Sequence, residues 1–229
     1  FYYIGRNYSQ ALKHFEELIE FYPQSEFVPQ AKLYIAKSNY HFRRKDVAFD
    51  LLQDFLKDNQ FTEYHPTALK LLADFHLEDN NFVDADFYLN RIIEKFPNSD
   101  EYDDAFFLKG KAQFEAQNYQ SSNEVFHSLL KSRVSRNMKL DARYYIARNN
   151  LLLEDWQTSL RQAKALLKDE YRQNNIPRIQ LVKARSLAGL QKNDEAIQLF
   201  ETIIENNKRT LLSAEAAYFL GELYFNNLR

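Results

Sequence analysis

Small residues recur along the chain at a fixed spacing of 37 residues, and large apolar residues keep step with them. The small residues are Ala11, Ala48, Ala85, Ser122, Ser159 and Ala196. The positions four, seven and eight residues after each of them are apolar in every repeat, as Phe15, Leu18 and Ile19 illustrate. Side chains three and four residues apart share one face of an α-helix, so this pattern predicts one amphipathic helix in each repeat.

A second small position lies twelve residues before the first and predicts another helix in each repeat. In sequence order this helix is the first of its repeat, and the helix that carries Ala48 or an equivalent residue is the second. The second small position is occupied by Ala36, Ala73, Gly110, Ala147, Ala184 and Gly221. We expect the two helices to approach closely at these residues, Gly221 included, while bulky neighbours fill the space beside them. Short polar stretches such as Asp79–Asn81 predict tight turns, and Pro23 and Pro97 end the second helix, because proline cannot continue it. The register therefore predicts an all-α solenoid of antiparallel helix pairs with a 37-residue period.

These motifs resemble the tetratricopeptide repeat (TPR). The matching features are Ala11-x3-Phe15, Ala196-x3-Phe200 and the aromatic residues Tyr8, Phe82, Tyr119 and Trp156, each three residues before the small residue of that helix. The resemblance extends over essentially the whole chain and implies a TPR-like right-handed solenoid. The usual TPR period is about 34 residues, so the extra residues lie in the loops between repeats. Such arrays serve many partners, so the resemblance implies no single function.

The register is unbroken, so we expect residues 1–229 to form a single TPR-like array of about six repeats rather than two globular domains. Phe1–Tyr3 aligns with the end of a first helix, and Asn227–Arg229 follows a first helix without its partner. We therefore expect an excerpt of a longer protein that is truncated within a repeat at both ends. Uncapped repeat faces of this kind could support self-association.

Composition excludes several classes of function. The chain of 229 residues is 45% hydrophobic and 27% charged, which is typical of a globular helical protein. The sequence contains no stretch of about 18 apolar residues, so it predicts no transmembrane helix. The absence of cysteine excludes disulfides, thiolate catalysis and cysteine-ligated zinc.

The remaining residues that could support chemistry form no motif. The five histidines lie in no HExxH helix or metal-ligand spacing, and the four glycines form no phosphate-binding loop. We therefore predict no catalytic residue, no cofactor and no metal, and a protein that is not an enzyme.

Charge is nearly balanced overall, with a formal net charge of −2, but it is uneven along the chain. Residues 46–104 carry 15 acidic and 4 basic residues, whereas residues 131–185 carry 13 basic and 5 acidic residues. Two interpretations remain open: solvated outer faces, or a field that steers a partner of opposite polarity. The balanced total argues against nucleic acid as the partner, because binding to phosphate backbones favours a strong basic excess.

Two rows of residues on the first helices are the candidate binding site, since in TPR arrays these helices line the concave groove. One row lies three residues before the second small position and is mostly apolar: Leu33, Lys70, Phe107, Tyr144, Leu181 and Tyr218. The other, which we call the charge row, lies one residue after it: Lys37, Asp74, Lys111, Arg148, Arg185 and Glu222. Residues four apart share a helix face, so the rows predict an aromatic floor beside a ladder of charges, suited to a peptide or a helix. For Leu33 and Leu181, packing on the adjacent helix is the alternative. A charge that faces inward must be paired or must meet a ligand.

A narrower resemblance is carried by the start of the chain. Asn7-Tyr8-x2-Ala11-x3-Phe15, followed by Phe21-Tyr22-Pro23-Gln24-Ser25, looks like bacterial cell-envelope TPR proteins, such as BamD-like lipoproteins and the Tol–Pal-associated periplasmic protein. This resemblance implies a non-catalytic scaffold that binds a protein or peptide partner in cell-envelope assembly. It favours the periplasm, with the cytoplasm left open. The chain departs from that family because it has no lipobox cysteine and loses the repeat-ending proline after Pro97. The alternative function is a regulatory or sensor TPR domain of a larger protein whose effector module lies elsewhere.

Overall fold

The computed structural model describes residues 8–169 and 175–227. These residues form twelve α-helices and, between the third and fourth of them, a 3₁₀ helix at Asn59–Tyr64. The α-helices are α1 Tyr8–Phe21, α2 Val28–His41, α3 Lys45–Phe55, α4 His65–Glu78, α5 Phe82–Lys95, α6 Tyr102–Glu115, α7 Tyr119–Lys131, α8 Arg136–Leu152, α9 Trp156–Lys168, α10 Ile176–Gly189, α11 Asn193–Asn206 and α12 Leu211–Asn227. The predictions that involve Phe1–Tyr3, Asn7, Leu228 and Arg229 lie outside the described residues.

Consecutive helices pack against each other, which confirms the all-α fold of helix pairs predicted by the register. Within a repeat, α2 packs on α3, α4 on α5, α8 on α9 and α10 on α11. Between repeats, second helices pack on the next first helix, as α1 does on α2, α7 on α8, α9 on α10 and α11 on α12. No helix among the described residues is long and apolar enough to cross a bilayer.

The helices fall into two compact units, with the division between Ala112 and Gln113. We call them the first unit and the second unit and describe each by itself. The single array over residues 1–229 stays a prediction.

The turn inside each helix pair has the same backbone conformation at the same position of the register. One residue in each turn is left-handed: Arg43, Asn80, Gln117, Glu154 and Gln191, with φ between 57° and 62°. The next residue donates its N–H to a carbonyl five residues earlier, for example Arg44 N to Asn39 O at 3.0 Å and Lys192 N to Leu187 O at 2.9 Å. This is the Schellman arrangement that ends helices, here formed without glycine. The register thus extends from side chains to backbone conformation.

Prolines occupy repeated positions as well. Pro29, Pro66 and Pro177 lie in the first turns of α2, α4 and α10. Backbone N–H groups in the first turn have no acceptor within the helix, so the N–H that proline lacks costs no hydrogen bond there. Helices α1 and α5 end two residues before Pro23 and Pro97, as predicted.

The small positions are the points of closest packing, with one exception. Ala48, Ala85, Ser159 and their equivalents are fully buried. Gly221 is exposed, and no heavy atom lies within 4 Å of the place that a Cβ would take there. The prediction that Gly221 is a packing position is therefore wrong, because no described helix packs on that face of α12.

The second unit carries a buried polar network in which Ser122 and Ser159 take the position held by alanine in the first unit. The Asn149 amide donates to Ser122 Oγ and to Asn123 Oδ1, each at 2.9 Å, and so joins α8 to α7. The hydroxyl oxygens of Ser159 and Ser186 are 2.9 Å apart and join α9 to α10. All five side chains are buried, and the hydrogen bonds between them offset part of the loss of water, while Asn149 Oδ1 has no partner among the described residues.

Candidate functional site

In the first unit, the candidate residues are half-buried, and one pair of charges is satisfied internally. Lys70 and Asp74, one turn apart on α4, form a salt bridge with 3.1 Å between Nζ and Oδ2. Lys37 on α2 and Phe107 and Lys111 on α6 are half-buried. The pairing of Lys70 with Asp74 reduces the charge that this part of the first unit presents to a ligand.

A second charged cluster of the first unit is also internally paired. The Tyr40 hydroxyl on α2 donates toward the Phe75 carbonyl oxygen at 3.0 Å and lies 3.1 Å from Asp79 Oδ1. Lys45 binds the same carboxylate. The hydrogen bond from Lys45 holds the pKa of Asp79 below its usual value, whereas burial and the Asp79 carboxylate raise the pKa of Tyr40. The charges of this cluster hold helices together and leave little for a partner.

Two arginines on the inner helices of the second unit, Arg148 and Arg185, lie on aromatic rings, whereas Arg143 on α8 forms a salt bridge with Asp169. The Arg148 guanidinium on α8 is 4.4 Å from the centre of the Phe114 ring and 5.7 Å from that of Tyr144. The Arg185 guanidinium on α10 is 3.9 Å from the centre of the Phe219 ring. Such cation–π contacts stabilise the position of a guanidinium without neutralising its charge.

These arginines line a cavity of about 370 Å³ between α8, α10 and α12. We call it the arginine cavity. Its polar lining is formed by Tyr144, Arg148, Arg178, Arg185 and Glu215. Its apolar lining includes Leu181, Leu211 and Leu212. The structure therefore brings together three predicted site residues, Tyr144, Arg148 and Arg185, on one concave surface.

The cavity has an excess of positive charge. Burial lowers the pKa of Arg185; the charge of Glu215 opposes this effect, Arg148 adds a smaller lowering, and Glu222 a smaller raising. Burial raises the pKa of the Tyr144 hydroxyl, and the charges of Arg148 and Arg178 partly counteract it. None of the three arginines forms a salt bridge with a carboxylate of the described residues. A group that lowers this mutual repulsion must be anionic.

Leu181 is 5% exposed and Leu33 is 5% exposed, so both pack in the core, as the alternative interpretation expects. Leu181 nevertheless contributes to the cavity wall. The two functions are compatible, since a core leucine at a cavity edge presents only part of its side chain.

Tyr218 and Glu222 lie outside the arginine cavity. Tyr218 is 63% exposed on α12, and its hydroxyl donates to Glu222 Oε1 at 3.0 Å. This hydrogen bond to a carboxylate raises the pKa of Tyr218. The predicted floor of aromatic residues is therefore not uniform, because Tyr144 is half-buried at the cavity and Tyr218 is on an open surface.

Sequence reasoning missed Arg178 and Glu215, which lie on a third row of the register. This row is six residues before the second small position, and its members are Gln30, Thr67, Asp104, Asp141, Arg178 and Glu215. The residue type changes in nearly every repeat, so no property repeats along the row. The one feature of the sequence that indicates this row is its position, three residues before the row that contains Leu181 and therefore on the same helix face.

The described residues offer no metal centre, since no three of their histidine and acidic side chains are grouped to hold an ion.

Two stretches of the sequence match profiles of the tetratricopeptide repeat, residues 1–25 and residues 181–227. No curated protein matches the sequence.

Solved structures with a similar fold span nearly the whole chain. A tetratricopeptide repeat protein from Parabacteroides merdae is 16% identical, with a TM-score of 0.69 over 97% of this chain and 84% of its own. PilF of Pseudomonas aeruginosa is 15% identical, with a TM-score of 0.66 over 93% of this chain and 90% of its own. YrrB, described as a TPR protein with an unusual peptide-binding site, is 11% identical, with a TM-score of 0.64 over 89% of this chain and 97% of its own. At these identities the similarity establishes the TPR fold alone.

Proposed function

We propose that this chain is a non-catalytic protein-interaction scaffold that binds a peptide or helix of a partner protein on its first helices. The observation that carries the proposal is the arginine cavity, where Arg148, Arg178 and Arg185 surround a concave space without a salt-bridge partner among the described residues. Arg148 and Arg185 are half-buried, and charges taken partly out of water without a salt-bridge partner cost free energy, so stability alone does not favour this cluster. Peptide binding by the structurally similar YrrB shows that this fold can hold a peptide site and supports the proposal.

The other candidate residues form secondary contact surfaces in this proposal. In the first unit, Lys37, Phe107 and Lys111 contribute half-buried side chains, and the Lys70–Asp74 pair contributes little net charge. In the second unit, the exposed Tyr218 and Glu222 extend the surface of α12 beyond the cavity. Few residues dominate most interfaces, so we assign the largest part of the binding free energy to the arginine cavity.

Selection of peptides tests the scaffold proposal without knowledge of the partner. Random dodecapeptides displayed on phage are selected against the intact chain and then against a double variant, Arg148→Glu with Arg185→Glu. The control carries the same charge change at exposed positions of α9, Arg161→Glu with Lys164→Glu. We expect enriched peptides that bind the wild type and the control variant but do not bind the cavity variant.

Helical content of each variant is measured by circular dichroism, so that loss of fold is separated from loss of binding. The absence of any enriched peptide, or equal recovery by both folded double variants, contradicts the proposal.

For the finer role we propose a scaffold in bacterial cell-envelope assembly. Its support is the resemblance of the sequence from Asn7 to Ser25 to envelope TPR proteins. Fractionation of cells that express the full-length protein from its own gene tests this proposal. We expect the protein in the periplasmic or membrane fraction, and recovery with cytoplasmic markers contradicts it.

A further inference from the structure

The arginine cavity has a chemistry that defines its ligand more narrowly than the TPR fold does. Each of the three helices that line the cavity contributes charged side chains: Arg148 from α8, Arg178 and Arg185 from α10, and Glu215 from α12. With three guanidinium groups and one carboxylate, the lining has a formal charge of +2, obtained from the polar residues that line it. An occupant with negative charge relieves the repulsion between the arginines, whereas a neutral one leaves it unchanged.

The aromatic contacts of the arginines leave their hydrogen-bond donors available. Arg148 lies over the Phe114 ring and Arg185 over the Phe219 ring. A guanidinium that stacks through its planar face keeps its N–H donors along its edge, where they match the two oxygens of a carboxylate. The rings therefore limit the motion of both groups before a ligand arrives, which lowers the entropic cost of binding.

The rest of the lining is aliphatic and restricts what can accompany the anion. Leu211 is 92% exposed at the rim, and Leu181 and Leu212 form part of the wall. The volume of about 370 Å³ is at the lower end of the range for ligand sites and has room for one or two side chains. An aliphatic side chain next to the anionic group would be removed from water there.

We propose that the arginine cavity binds an acidic peptide segment, with a carboxylate between Arg148, Arg178 and Arg185 and a neighbouring aliphatic side chain against Leu181, Leu211 and Leu212. This inference rests on the proposed scaffold function and names the class of peptide that it binds. The assignment to a carboxylate is based on geometry, because its two oxygens match the paired N–H donors of a guanidinium and the leucines provide an apolar wall for the aliphatic part of an acidic peptide. The carboxylate comes from an Asp or Glu side chain or from the C-terminus of the partner.

Fluorescence polarisation with labelled octapeptides distinguishes these two sources. The first probe alternates Glu and Leu and has an amidated C-terminus, so its carboxylates are all in side chains. The second replaces every Glu with Gln and keeps a free C-terminus, and the third replaces every Glu with Gln and is amidated. We expect the first or the second probe to bind at least about tenfold more tightly than the third, since a charge-assisted hydrogen bond contributes that much or more.

Two single variants give opposite expected shifts, which loss of fold cannot produce. Arg178→Gln should weaken binding of the carboxylate probe by about tenfold, because it removes one charged donor of an exposed side chain. Glu215→Gln should tighten it about threefold or more, because it removes a carboxylate that repels the ligand. Arg161→Gln on α9 makes the same change away from the cavity and should leave the affinity unchanged.

The results separate this inference from the scaffold proposal. Equal binding of all three probes, equal affinity of Arg178→Gln and Arg161→Gln, or weaker binding by Glu215→Gln would overturn the acidic-peptide assignment. In each of these cases, peptides recovered from the phage selection would still support a scaffold. Failure of the phage selection itself would contradict both proposals.

Discussion

The two units use the same repeat register but treat their charges differently. In the first unit, Lys70 pairs with Asp74, and Lys45 pairs with an Asp79 that also contacts Tyr40. In the second unit, Arg148 and Arg185 lie on aromatic rings and make no salt bridge with the described residues. Internal pairing favours stability, and an unpaired cationic cluster favours binding. The difference indicates that charged residues at similar inward positions of one fold can serve either the packing of helices or the binding of a partner.

The units also differ at the end of the first helix, where a ring from the preceding second helix packs. In the first unit, Tyr8 stacks on His41, with ring centres 4.7 Å apart. At the equivalent place in the second unit, Trp156 covers Gly189, and a Cβ there would lie 2.3 Å from a ring carbon. The larger ring is accommodated because the residue beneath it has no side chain.

The largest expected effect is therefore at Gly189. Gly189→Ala should lower the free energy of unfolding by about 1–3 kcal/mol, because the Trp156 ring must shift to avoid the new methyl group. Urea unfolding gives the change in stability, and fluorescence of Trp156, the chain's one tryptophan, reports the shift of the ring.

Gly221→Ala is the matched control for this variant. It lies inside α12, with nothing within 4 Å of its added Cβ. Alanine should raise the free energy of unfolding there by about 0.5–1 kcal/mol, since it loses less entropy in a helix than glycine does. If both substitutions change stability in the same direction, the steric explanation for Gly189 is incorrect.

The next largest effect is expected at Tyr40 in the first unit. Tyr40→Phe should cost about 1–2 kcal/mol near neutral pH, because it removes a buried hydroxyl that contacts the Phe75 carbonyl and Asp79. Tyr144→Phe in the second unit serves as the comparison, since no described residue accepts a hydrogen bond from that hydroxyl. A similar loss in both variants would contradict the assignment of this stabilisation to the contacts of the Tyr40 hydroxyl with Phe75 and Asp79.

The pH dependence of the same variant has a definite sign. The pKa of Tyr40 is raised in the folded chain, so its stabilisation is complete below the ordinary tyrosine pKa of about 10 and is lost as the pH rises above it. Tyr40→Phe should therefore lose less stability than the wild type between about pH 9 and pH 11. Urea unfolding across this range measures the difference, and parallel curves for the two proteins would contradict it.

A smaller effect is expected at the left-handed turn residues. Glu154→Gly should raise the free energy of unfolding by about 0.5–1 kcal/mol, because glycine adopts a φ of 62° without the penalty of a Cβ. Asn80→Gly in the first unit should change little, since asparagine tolerates this conformation. The midpoint of thermal unfolding compares them, and a larger gain for Asn80→Gly would contradict the explanation.

The smallest effect tests the pairing of charges directly. Lys70→Gln should lower stability by about 0.3–0.5 kcal/mol through loss of a partly exposed salt bridge. Arg178→Gln should leave the stability of the ligand-free chain unchanged or slightly higher, because it reduces repulsion from the other arginines. Urea unfolding at low salt gives the two values, and a loss in Arg178→Gln as large as that in Lys70→Gln would remove this difference between the units.

The helices and their boundaries can be predicted from this sequence because they follow from spacing. Apolar residues at offsets of four, seven and eight determine the buried face of each second helix. The polar turns and the prolines Pro23 and Pro97 lie just after the ends of helices in the structure. Gly221 shows the limit of the argument. A repeated position predicts packing only where a neighbouring helix is present, and α12 has none on that face among the described residues.

The candidate site can be predicted only in part. Spacing places Tyr144, Arg148 and Arg185 on inward faces, and the structure brings them to one cavity. Spacing does not determine which neighbour a charge meets, because Asp74 and Arg148 hold the same position of the charge row and meet different partners. Those partners are single residues, Lys70 and Phe114, that do not recur along the register.

The buried amides and hydroxyls of the second unit bear on a hazard that every repetitive chain faces during folding. When the repeats are alike, a second helix can pack on the wrong first helix and still bury a similar apolar face, which is the origin of misassembly and swapping in such proteins. Asn149 finds its hydrogen-bond acceptors only beside Ser122 and Asn123, and Ser159 meets Ser186 only across the correct helix pair. A wrong neighbour would leave the Asn149 amide hydrogens without these acceptors, at a cost of about 1–3 kcal/mol, whereas the Ser159 and Ser186 hydroxyls keep acceptors in the Ala147 and Val182 carbonyls. The network therefore favours the native order of helices over alternatives that hydrophobic packing alone would accept.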